Sequence, residues 1–242
     1  NHYILSIDQG TTSSRAIIFD INGQILAQKN FEFKQYYPKN GWVEHNPYEI
    51  LDTTINSIKH VITESKIKVE DICTAGITNQ RETIVAWDKS TGQPIYNAIV
   101  WQDRRTEDIC ENLRGKNLTE KVQKKTGLII DPYFSGTKIK WIIDNVNEAN
   151  KIISNNNLLV GTIDSWLIWN FTKGDCHLTD ATNASRTMLY NINEDQWDSE
   201  LLELLNIPYE MLPEVKNSTG NFGVINKELF GSEIPIEGVA GD

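Results

Sequence analysis

Cysteines and long apolar runs are scarce in this sequence of 242 residues. The three cysteines, Cys73, Cys110 and Cys176, are far apart, unlike the closely spaced cysteines of zinc sites and disulfide frameworks. We therefore expect three reduced thiols. No apolar run approaches the ~20 residues of a membrane-spanning helix, and residues 1–10 lack the charged and apolar regions of a signal peptide. These absences predict a cytoplasmic protein with no membrane span.

Basic residues are scarce as well. The chain has 23 Lys and Arg against 33 Asp and Glu, a formal net charge of −10. Nucleic acid and anionic membranes attract proteins with a surplus of basic residues, so neither is expected as the main partner. A small neutral or phosphorylated ligand stays possible, because local charge decides its binding. The four histidines are dispersed along the sequence and predict no imidazole metal site: His2, His45, His60 and His177.

The apolar pattern predicts an α/β domain. Hydrophobic residues make up 39% of the chain, enough for one large domain or for a domain with a small lobe. Residues 3–7 and 15–19 are β-rich runs around a polar turn, and Asn22-Gly23 predicts a second hairpin leading into residues 25–33. Later predicted strands cover residues 72–77, 85–87, 98–101, 158–161 and 234–240.

Helix signals follow the first strands. Asn46 is the expected N-cap of the first helix, with Pro47 at its first position and Glu49 as the carboxylate of a capping box. The other predicted helices are a long one from Ser135 to about residue 155 and a short one over residues 197–205, capped by Asp198.

The turn after the first strand has the residue types of a phosphate-binding loop. Asp8 ends the strand, Gly10 allows close backbone approach to an anion, and Arg15 adds a positive charge beyond four hydroxyl residues. A carboxylate at this place can hold a hydrated magnesium ion. A plain β-hairpin with a polar turn explains the same residues, and both interpretations stay open on spacing alone. The Gly-X4-Gly-Lys-Ser pattern of a P-loop is absent.

The run from Asp8 to Ala16 resembles the opening signature of the FGGY carbohydrate kinases, whose superfamily also holds actin, hexokinase and the heat-shock ATPases. Seven further segments are similar, in the same order, to those of the glycerol kinases in that family: residues 41–45, 76–83, 99–105, 131–138, 161–167, 179–187 and 238–242. The resemblance covers essentially the whole chain. It implies a ribonuclease H-like α/β domain of the actin-like ATPase and hexokinase superfamily, with a mixed sheet flanked by helices.

The resemblance also implies a domain organisation and a reaction. Residues 1–242 correspond to the N-terminal, glycerol- and phosphate-binding half, and we expect the C-terminal nucleotide-binding domain to be missing from this chain. Little or no turnover is therefore expected from residues 1–242 alone. The parent protein is expected to transfer the γ-phosphate of ATP, with Mg²⁺, to a terminal hydroxyl of glycerol, giving sn-glycerol 3-phosphate. A homo-oligomer is expected for the full-length protein.

Two sets of site residues follow from the resemblance. The loop residues that it assigns to the ATP phosphates are Gly10, Thr11, Thr12, Ser13 and Arg15, with Asp8 as the metal ligand. The residues that it assigns to glycerol are Arg81, Glu82, Trp101, Tyr133 and Asp242, with Asp242 also as the general base.

The glycerol assignments agree with what a small triol requires. A polyol pocket needs a fixed donor, a fixed acceptor and an apolar wall, and Arg81, Glu82, Trp101 and Tyr133 supply these types. Taken alone, Arg81 and Glu82 would be better explained as a solvated surface ion pair, and Trp101 could belong to the core. Asp242 has an alternative explanation as a residue that merely ends the chain.

Some segments depart from the family, and three rival functions remain. Glu233 follows Gly231-Ser232 where some bacterial members have a Gly-X-Arg loop that binds fructose 1,6-bisphosphate, so this inhibition is not expected. Glu228 stands where some members have a phosphorylated histidine, so this control is also expected to be absent. The rivals are another FGGY sugar kinase, a polyol-binding module without catalysis and an ATP-binding structural relative of actin.

Overall fold

A computed structural model describes residues 2–242, which form fourteen strands and nine α-helices. The strands are β1 (Tyr3–Gln9), β2 (Ser13–Asp20), β3 (Ile25–Glu32), β4 (Glu44–His45), β5 (Ile72–Asn79), β6 (Ile84–Asp88), β7 (Ala98–Ile99), β8 (Leu158–Thr162), β9 (Leu178–Asp180), β10 (Tyr190–Asn191), β11 (Gln196–Trp197), β12 (Glu214–Lys216), β13 (Val224–Ile225) and β14 (Ile234–Gly241).

The helices accompany two larger sheets and two two-stranded ones, β10-β11 and β12-β9. They are α1 (Pro47–Ser65), α2 (Glu107–Gly115), α3 (Thr119–Thr126), α4 (Ser135–Asn145), α5 (Ala149–Ser154), α6 (Ile163–Phe171), α7 (Ala181–Ala184), α8 (Ser199–Leu205) and α9 (Lys227–Phe230). Two 3₁₀ turns lie at Val69–Asp71 and Tyr209–Met211. Each of these helices is too short or too polar to cross a bilayer. The three cysteines are free thiols.

The main sheet has six strands in the order β13-β14-β5-β1-β2-β3. The predicted hairpins are confirmed, since β1, β2 and β3 pair antiparallel in sequence order. Strands β1, β5 and β14 run parallel, and parallel neighbours need long crossover connections. Helix α1 makes the first crossover and packs on β2 and β3. The mixed, helix-flanked sheet confirms the predicted α/β, ribonuclease H-like class.

A second, four-stranded sheet takes β6, β7 and β8 from the long connection between β5 and β14, and β4 from the segment before α1. It has the antiparallel order β4-β7-β6-β8. Its core includes Ile84, Ile99, Ile139 and Leu202, whereas the main core includes Trp166 and the inward side chains of β1 and β5. Residues 80–83 connect the two sheets, and residues 100–105 follow β7 of the second sheet.

Helix α1 begins as predicted, but one detail of its start was wrong. Asn46 Oδ1 accepts the Tyr48 N–H at 2.8 Å. Glu49 was expected to bond back to the N-cap, as in a capping box. Its carboxylate instead accepts the Lys34 N–H at 3.2 Å and the Tyr36 hydroxyl at 2.5 Å. The segment after β3 runs past this helix end and supplies both donors.

The predicted long helix from Ser135 is two helices. Val146 takes an extended conformation, φ −90° and ψ 117°, and ends α4. Because the chain turns there, both Val146 and Ala149 are buried in the second core. The short helix predicted from residue 197 begins at Ser199, since Trp197 belongs to β11, and Asp198 caps it as expected by accepting the Leu201 N–H at 3.0 Å.

Candidate active site

The parallel strands β1, β5 and β14 end together at one edge of the main sheet. Asn79 lies between Gln9 and Gly241 in the register. The Asp242 N–H donates to the Asn79 carbonyl at 3.1 Å, and the Gln80 N–H donates to the Gln9 carbonyl at 2.7 Å. This edge therefore gathers the predicted phosphate loop, the turn after β5 and the predicted general base.

The predicted phosphate loop is the tight turn between β1 and β2. Its first residue, Gly10, donates its N–H to the Ser13 carbonyl at 2.9 Å. A Cβ on Gly10 would lie 3.3 Å from the same oxygen, so glycine lets the turn close. The turn is thus a β-hairpin, as one interpretation of the sequence held. Its position at the shared sheet edge is compatible with phosphate binding as well.

Asp8 and Arg15 lie opposite each other across the hairpin. Arg15 Nη2 is 2.5 Å from Asp8 Oδ2, and their side chains are 47% and 27% exposed. Asp242 lies close enough to Asp8 for the two carboxylates to interact. Burial raises the pKa of Asp242, and the negative charge of Asp8 raises it further, whereas the positive charge of Arg81 lowers it. Two carboxylates therefore lie near each other at the end of the sheet.

This carboxylate pair fits the ligand preference of Mg²⁺, which is usually held by one or two carboxylates together with substrate oxygens and water. Within residues 2–242, no three His, Cys, Asp or Glu side chains gather into a metal site of their own. A cation bound here would therefore depend on Asp8, on Asp242 and on oxygens of the substrate.

Arg81 lies across the end of β14. Its Nε is 3.9 Å from Asp242 Oδ1. A Cβ on Gly241 would lie 2.5 Å from Cγ and from Cδ of Arg81, so only glycine leaves room for this side chain. In the described part of the chain, Arg81 Nε is buried without a hydrogen-bond partner. An unpaired buried donor is costly, so this N–H is a candidate ligand donor.

Glu82 is buried and faces a different cation. It is 2% exposed, and Glu82 Oε1 accepts from Arg186 Nε at 2.7 Å. Burial raises the pKa of Glu82, and the charges of Arg186 and Arg81 oppose the rise. The alternative of a solvated surface pair is wrong, because Arg81 and Glu82 face Asp242 and Arg186 respectively.

Trp101 contacts both predicted sets of residues. Its indole Nε1 donates to Thr11 Oγ1 at 3.0 Å, and its main-chain N–H donates to Thr83 Oγ1 at 3.1 Å. Its ring meets the Tyr133 ring edge-on, with centroids 5.7 Å apart. The Trp101 side chain is only half-buried. It is therefore not a core residue, and its hydrogen bond and ring contact link the loop to the predicted glycerol residues.

The rings of Trp101 and Tyr133 also line an open concavity of about 450 Å³. Tyr133 is held there by its own turn, because its N–H donates to Asp131 Oδ1 at 2.8 Å. Asp131 is in turn paired with Arg104 at 2.8 Å. The concavity shows that one side of the two rings is open to solvent, and Arg81, Glu82 and Asp242 do not line it.

Comparison with known proteins identifies the chain's family. Residues 3–242 match the N-terminal domain of the FGGY family of carbohydrate kinases. The chain belongs to this family. Among curated relatives, the glycerol kinase of Thermoanaerobacter sp. (strain X514) is 60% identical over 240 residues, which are 99% of this chain and 48% of that protein. The chain thus spans about half the length of the curated relatives it matches.

Solved structures of FGGY kinases have the same fold. The crystal structure of Plasmodium falciparum glycerol kinase with ADP has a TM-score of 0.94 at 41% identity, covering 100% of this chain and 48% of that chain. Gluconate kinase from Lactobacillus acidophilus has a TM-score of 0.88 at 25% identity, again with 100% and 48% coverage. The fold is therefore common to sugar and glycerol kinases, and the site residues must discriminate between substrates.

A buried amide network that the sequence analysis missed stabilises this FGGY site. Gln80 Nε2 donates to Gln9 Oε1 at 3.0 Å, and Gln80 Oε1 accepts from Thr83 Oγ1 at 2.9 Å. His45 Nδ1 lies 3.3 Å from Gln80 Nε2, and its Nε2 lies 2.6 Å from Gln35 Oε1. The sequence signal was weak: Gln9 and Gln80 lie two and three residues beyond the predicted strands 3–7 and 72–77, within segments that resemble the family. The network fixes the phosphate loop relative to the turn after β5.

A second missed group ties helix α7 to the strand ends of the FGGY domain. Asn79 and Asn183 exchange amide hydrogen bonds at 2.9 and 3.2 Å, and Asn183 Nδ2 also donates to Asp180 Oδ1 at 2.8 Å. Thr182 Oγ1 accepts the Gly241 N–H at 2.8 Å. Because α7 precedes Arg186, these bonds set the position from which Arg186 reaches Glu82.

Proposed function

We propose that the full-length protein phosphorylates glycerol, transferring the γ-phosphate of ATP to a terminal hydroxyl and giving sn-glycerol 3-phosphate. The observation that carries this proposal is the pair of contacts of Trp101, one to Thr11 in the phosphate loop and one to Tyr133. They support a pocket for a small triol directly beside bound phosphates, and phosphoryl transfer depends mainly on such positioning. The glycerol kinases among the relatives support it too.

The residues around the rings supply what a triol needs. We assign the buried, unpaired Nε of Arg81 as donor to a glycerol hydroxyl, and the Glu82 carboxylate as acceptor. Trp101 and Tyr133 form the wall against the carbon frame. A pocket of paired hydrogen-bonding groups rejects ligands that lack the hydroxyls, because its buried polar groups would then be left unpaired.

Asp242 is the proposed general base. Its carboxylate, 51% exposed and 3.9 Å from Arg81 Nε, lies at the end of β14 beside the assigned glycerol donor. It would accept the proton of the terminal hydroxyl as that oxygen attacks the γ-phosphate. The raised pKa of Asp242 strengthens it as a proton acceptor.

The turn between β1 and β2 is the proposed binding site for the phosphates of ATP. Its residues are Gly10, Thr11, Thr12, Ser13 and Arg15, whose N–H, hydroxyl and guanidinium groups are phosphate donors. Asp8 is the proposed ligand of Mg²⁺. When bound, Mg²⁺ would neutralise charge on the phosphate oxygens.

We further propose that residues 1–242 form the glycerol- and phosphate-binding domain, and that the adenine is bound by the other half of the full-length protein. The relatives' double length supports this division. A cytoplasmic location agrees with the three free thiols. Homo-oligomerisation of the full-length protein is proposed from the family resemblance.

Glycerol-dependent ADP formation by the full-length protein tests the proposal, with gluconate and xylulose as rival substrates. We expect glycerol to have the highest kcat/KM. Asp242→Asn should lower kcat by about 10²- to 10⁴-fold, the usual contribution of a general base, while keeping glycerol binding. Arg81→Ala should mainly raise the KM. The matched control is Asp52→Asn, an exposed position on α1.

Other outcomes of this assay select the rivals. A preference for gluconate or xylulose would assign the protein to another sugar kinase. Glycerol binding by calorimetry without turnover would indicate a polyol-binding module, and no glycerol binding would favour a structural ATP-binding role.

A further inference from the structure

Arg186 contacts the predicted glycerol residues without belonging to them. It lies just after helix α7, and its Nε donates to Glu82 Oε1 at 2.7 Å. The Glu82 side chain is 3% exposed and the Arg186 side chain 25%. A charge-assisted hydrogen bond to a nearly buried carboxylate is strong and directional. Arg186 therefore influences the carboxylate that we assign as acceptor.

The same guanidinium packs on the aromatic wall. Its carbon lies 5.2 Å from the Tyr133 ring centroid and 4.9 Å from that of Phe134. A planar guanidinium can stack on a ring and donate in its own plane at once, which lysine cannot do. The Arg186 side chain thus contacts two residues of the proposed pocket, Glu82 and Tyr133, which come from different turns.

Nothing else in residues 2–242 orients the Glu82 carboxylate by a side-chain hydrogen bond. Glu82 has a left-handed backbone, φ 63°, which is uncommon for a residue other than glycine. Ser135 Oγ donates to its carbonyl at 2.8 Å and so holds the backbone. The backbone and the carboxylate therefore have separate anchors, and Arg186 is the anchor of the carboxylate.

We propose that Arg186 is a positioning residue for the substrate pocket, holding the Glu82 carboxylate and the Tyr133 ring in the arrangement that binds the triol. It acts through these two groups and does not touch the substrate. The inference rests on the proposed function, in which Glu82 and Tyr133 contact glycerol.

The charges around Glu82 predict a pH signature of this role. The Arg186 charge lowers the pKa of Glu82 against the effect of burial; Arg81 also lowers it, and Asp242 raises it. The buried Lys138 ammonium is a further neighbouring charge. Without Arg186, Glu82 would take up a proton at higher pH and lose its acceptor role. The acid limb of kcat/KM would therefore move to higher pH.

The test compares four full-length proteins: wild type, Arg186→Met, Arg186→Lys and the control Lys125→Met. Lys125 is a matched position, since it is also 25% exposed and pairs with a nearly buried carboxylate, Asp198, at 2.8 Å. Losing a hydrogen bond to a charged group predicts a rise of about 10- to 100-fold in the glycerol KM of Arg186→Met. Its KM for ATP should stay near the wild-type value.

Arg186→Lys should keep the wild-type acid limb, because its charge remains, and should recover only part of the glycerol affinity. Lys125→Met should lower the melting temperature about as much as Arg186→Met does. Unlike Arg186→Met, it should keep the wild-type glycerol KM and the wild-type acid limb of kcat/KM. The contribution of Asp242 to the acid limb is common to all four proteins, so a difference between them reports Glu82.

The proposal is overturned if Arg186→Met and Lys125→Met give the same glycerol KM and the same acid limb. Failure of the proposed function looks different: the wild type would then prefer another sugar, and the KM for that sugar would test Arg186 in the same four proteins. If no sugar is turned over, the calorimetric affinities of the four proteins for glycerol test the role of Arg186 instead.

Discussion

The indole Nε1 of Trp101 donates a hydrogen bond to Thr11 Oγ1 over 3.0 Å. Thr11 belongs to the turn between β1 and β2 of the main sheet, and Trp101 follows β7 of the second sheet. The bond therefore joins the phosphate loop to the wall of the proposed glycerol pocket. Substrate binding and phosphate binding share this contact, and we expect them to be coupled.

Replacing Trp101 by Phe tests the shared contact. The variant keeps an aromatic wall and loses the donor to Thr11. A net hydrogen-bond contribution of about 0.5–1.5 kcal/mol predicts a fall in kcat/KM for glycerol of about 2- to 13-fold. Trp169→Phe is the control, since Trp169 packs on Trp87 and His177 away from the site. Equal steady-state kinetics in the two variants would show that the bond is irrelevant.

Gly241 should be essential to the placement of Arg81. A methyl group there would lie 2.5 Å from Arg81 Cγ and Cδ, and side-chain atoms can move where backbone cannot. Gly241→Ala should therefore fold normally and displace Arg81, raising the glycerol KM by at least about tenfold, as misplaced binding groups do. Gly220→Ala is the control, because no atom lies within 4 Å of its added Cβ. Unchanged KM in Gly241→Ala would contradict the role of Arg81.

Asp8→Asn tests the proposed metal ligand. The carboxylate lies near the end of β1, where it pairs with Arg15 and lies near Asp242, and it is not itself assigned to glycerol. Turnover should therefore require a higher Mg²⁺ concentration, while calorimetric glycerol affinity stays at the wild-type value. Asp52→Asn again serves as the exposed control. A loss of glycerol affinity without a change in Mg²⁺ dependence would contradict the assignment of Asp8 as a metal ligand.

Acid should destabilise the fold through two histidines, His45, which is fully buried, and His177, which is partly buried. Burial lowers the pKa of His45 and of His177 to about 4. An unfolded histidine takes up its proton near pH 6.5, so stability is lost as the pH falls from about 6.5 towards 4, by up to about 1.4 kcal/mol per pH unit for each group.

Urea unfolding at pH 7 and pH 5 measures this loss of stability. His177→Gln should lose less stability between the two pH values than the wild type, because it removes one of the two titrating groups. The exposed His60→Gln should behave like the wild type. The same loss in all three proteins would rule out His177 as a cause.

Local signals predicted much of the fold. The hairpin turn at Asn22-Gly23, the Asn46 cap and the β-rich run over residues 3–7 depend on neighbours in sequence, and each was confirmed. The break at Val146 carries neither glycine nor proline, so no helix-breaking residue marks the end of α4. It exists because the second core buries Val146 and Ala149 together.

The site was predicted through family resemblance, and its supporting contacts were not. Glu82 and Arg186 are 104 positions apart, and Gln9 and Gln80 are 71 apart. Such pairs meet only because β1, β5 and β14 end at one edge and α7 is fixed beside them. Two expected absences of regulation stay predictions: no histidine phosphorylation at the position of Glu228, which pairs with Lys173, and no fructose 1,6-bisphosphate inhibition at the loop that contains Glu233.

A crystal structure of the full-length protein with glycerol and a non-hydrolysable ATP analogue tests the central claim most directly. We predict glycerol between the Trp101 and Tyr133 rings, bonded to Arg81 and Glu82. Its terminal hydroxyl should lie within hydrogen-bond distance of Asp242 and face the γ-phosphate, which should lie on residues 10–13. Glycerol bound elsewhere, or phosphates that do not contact residues 10–13, would contradict the account.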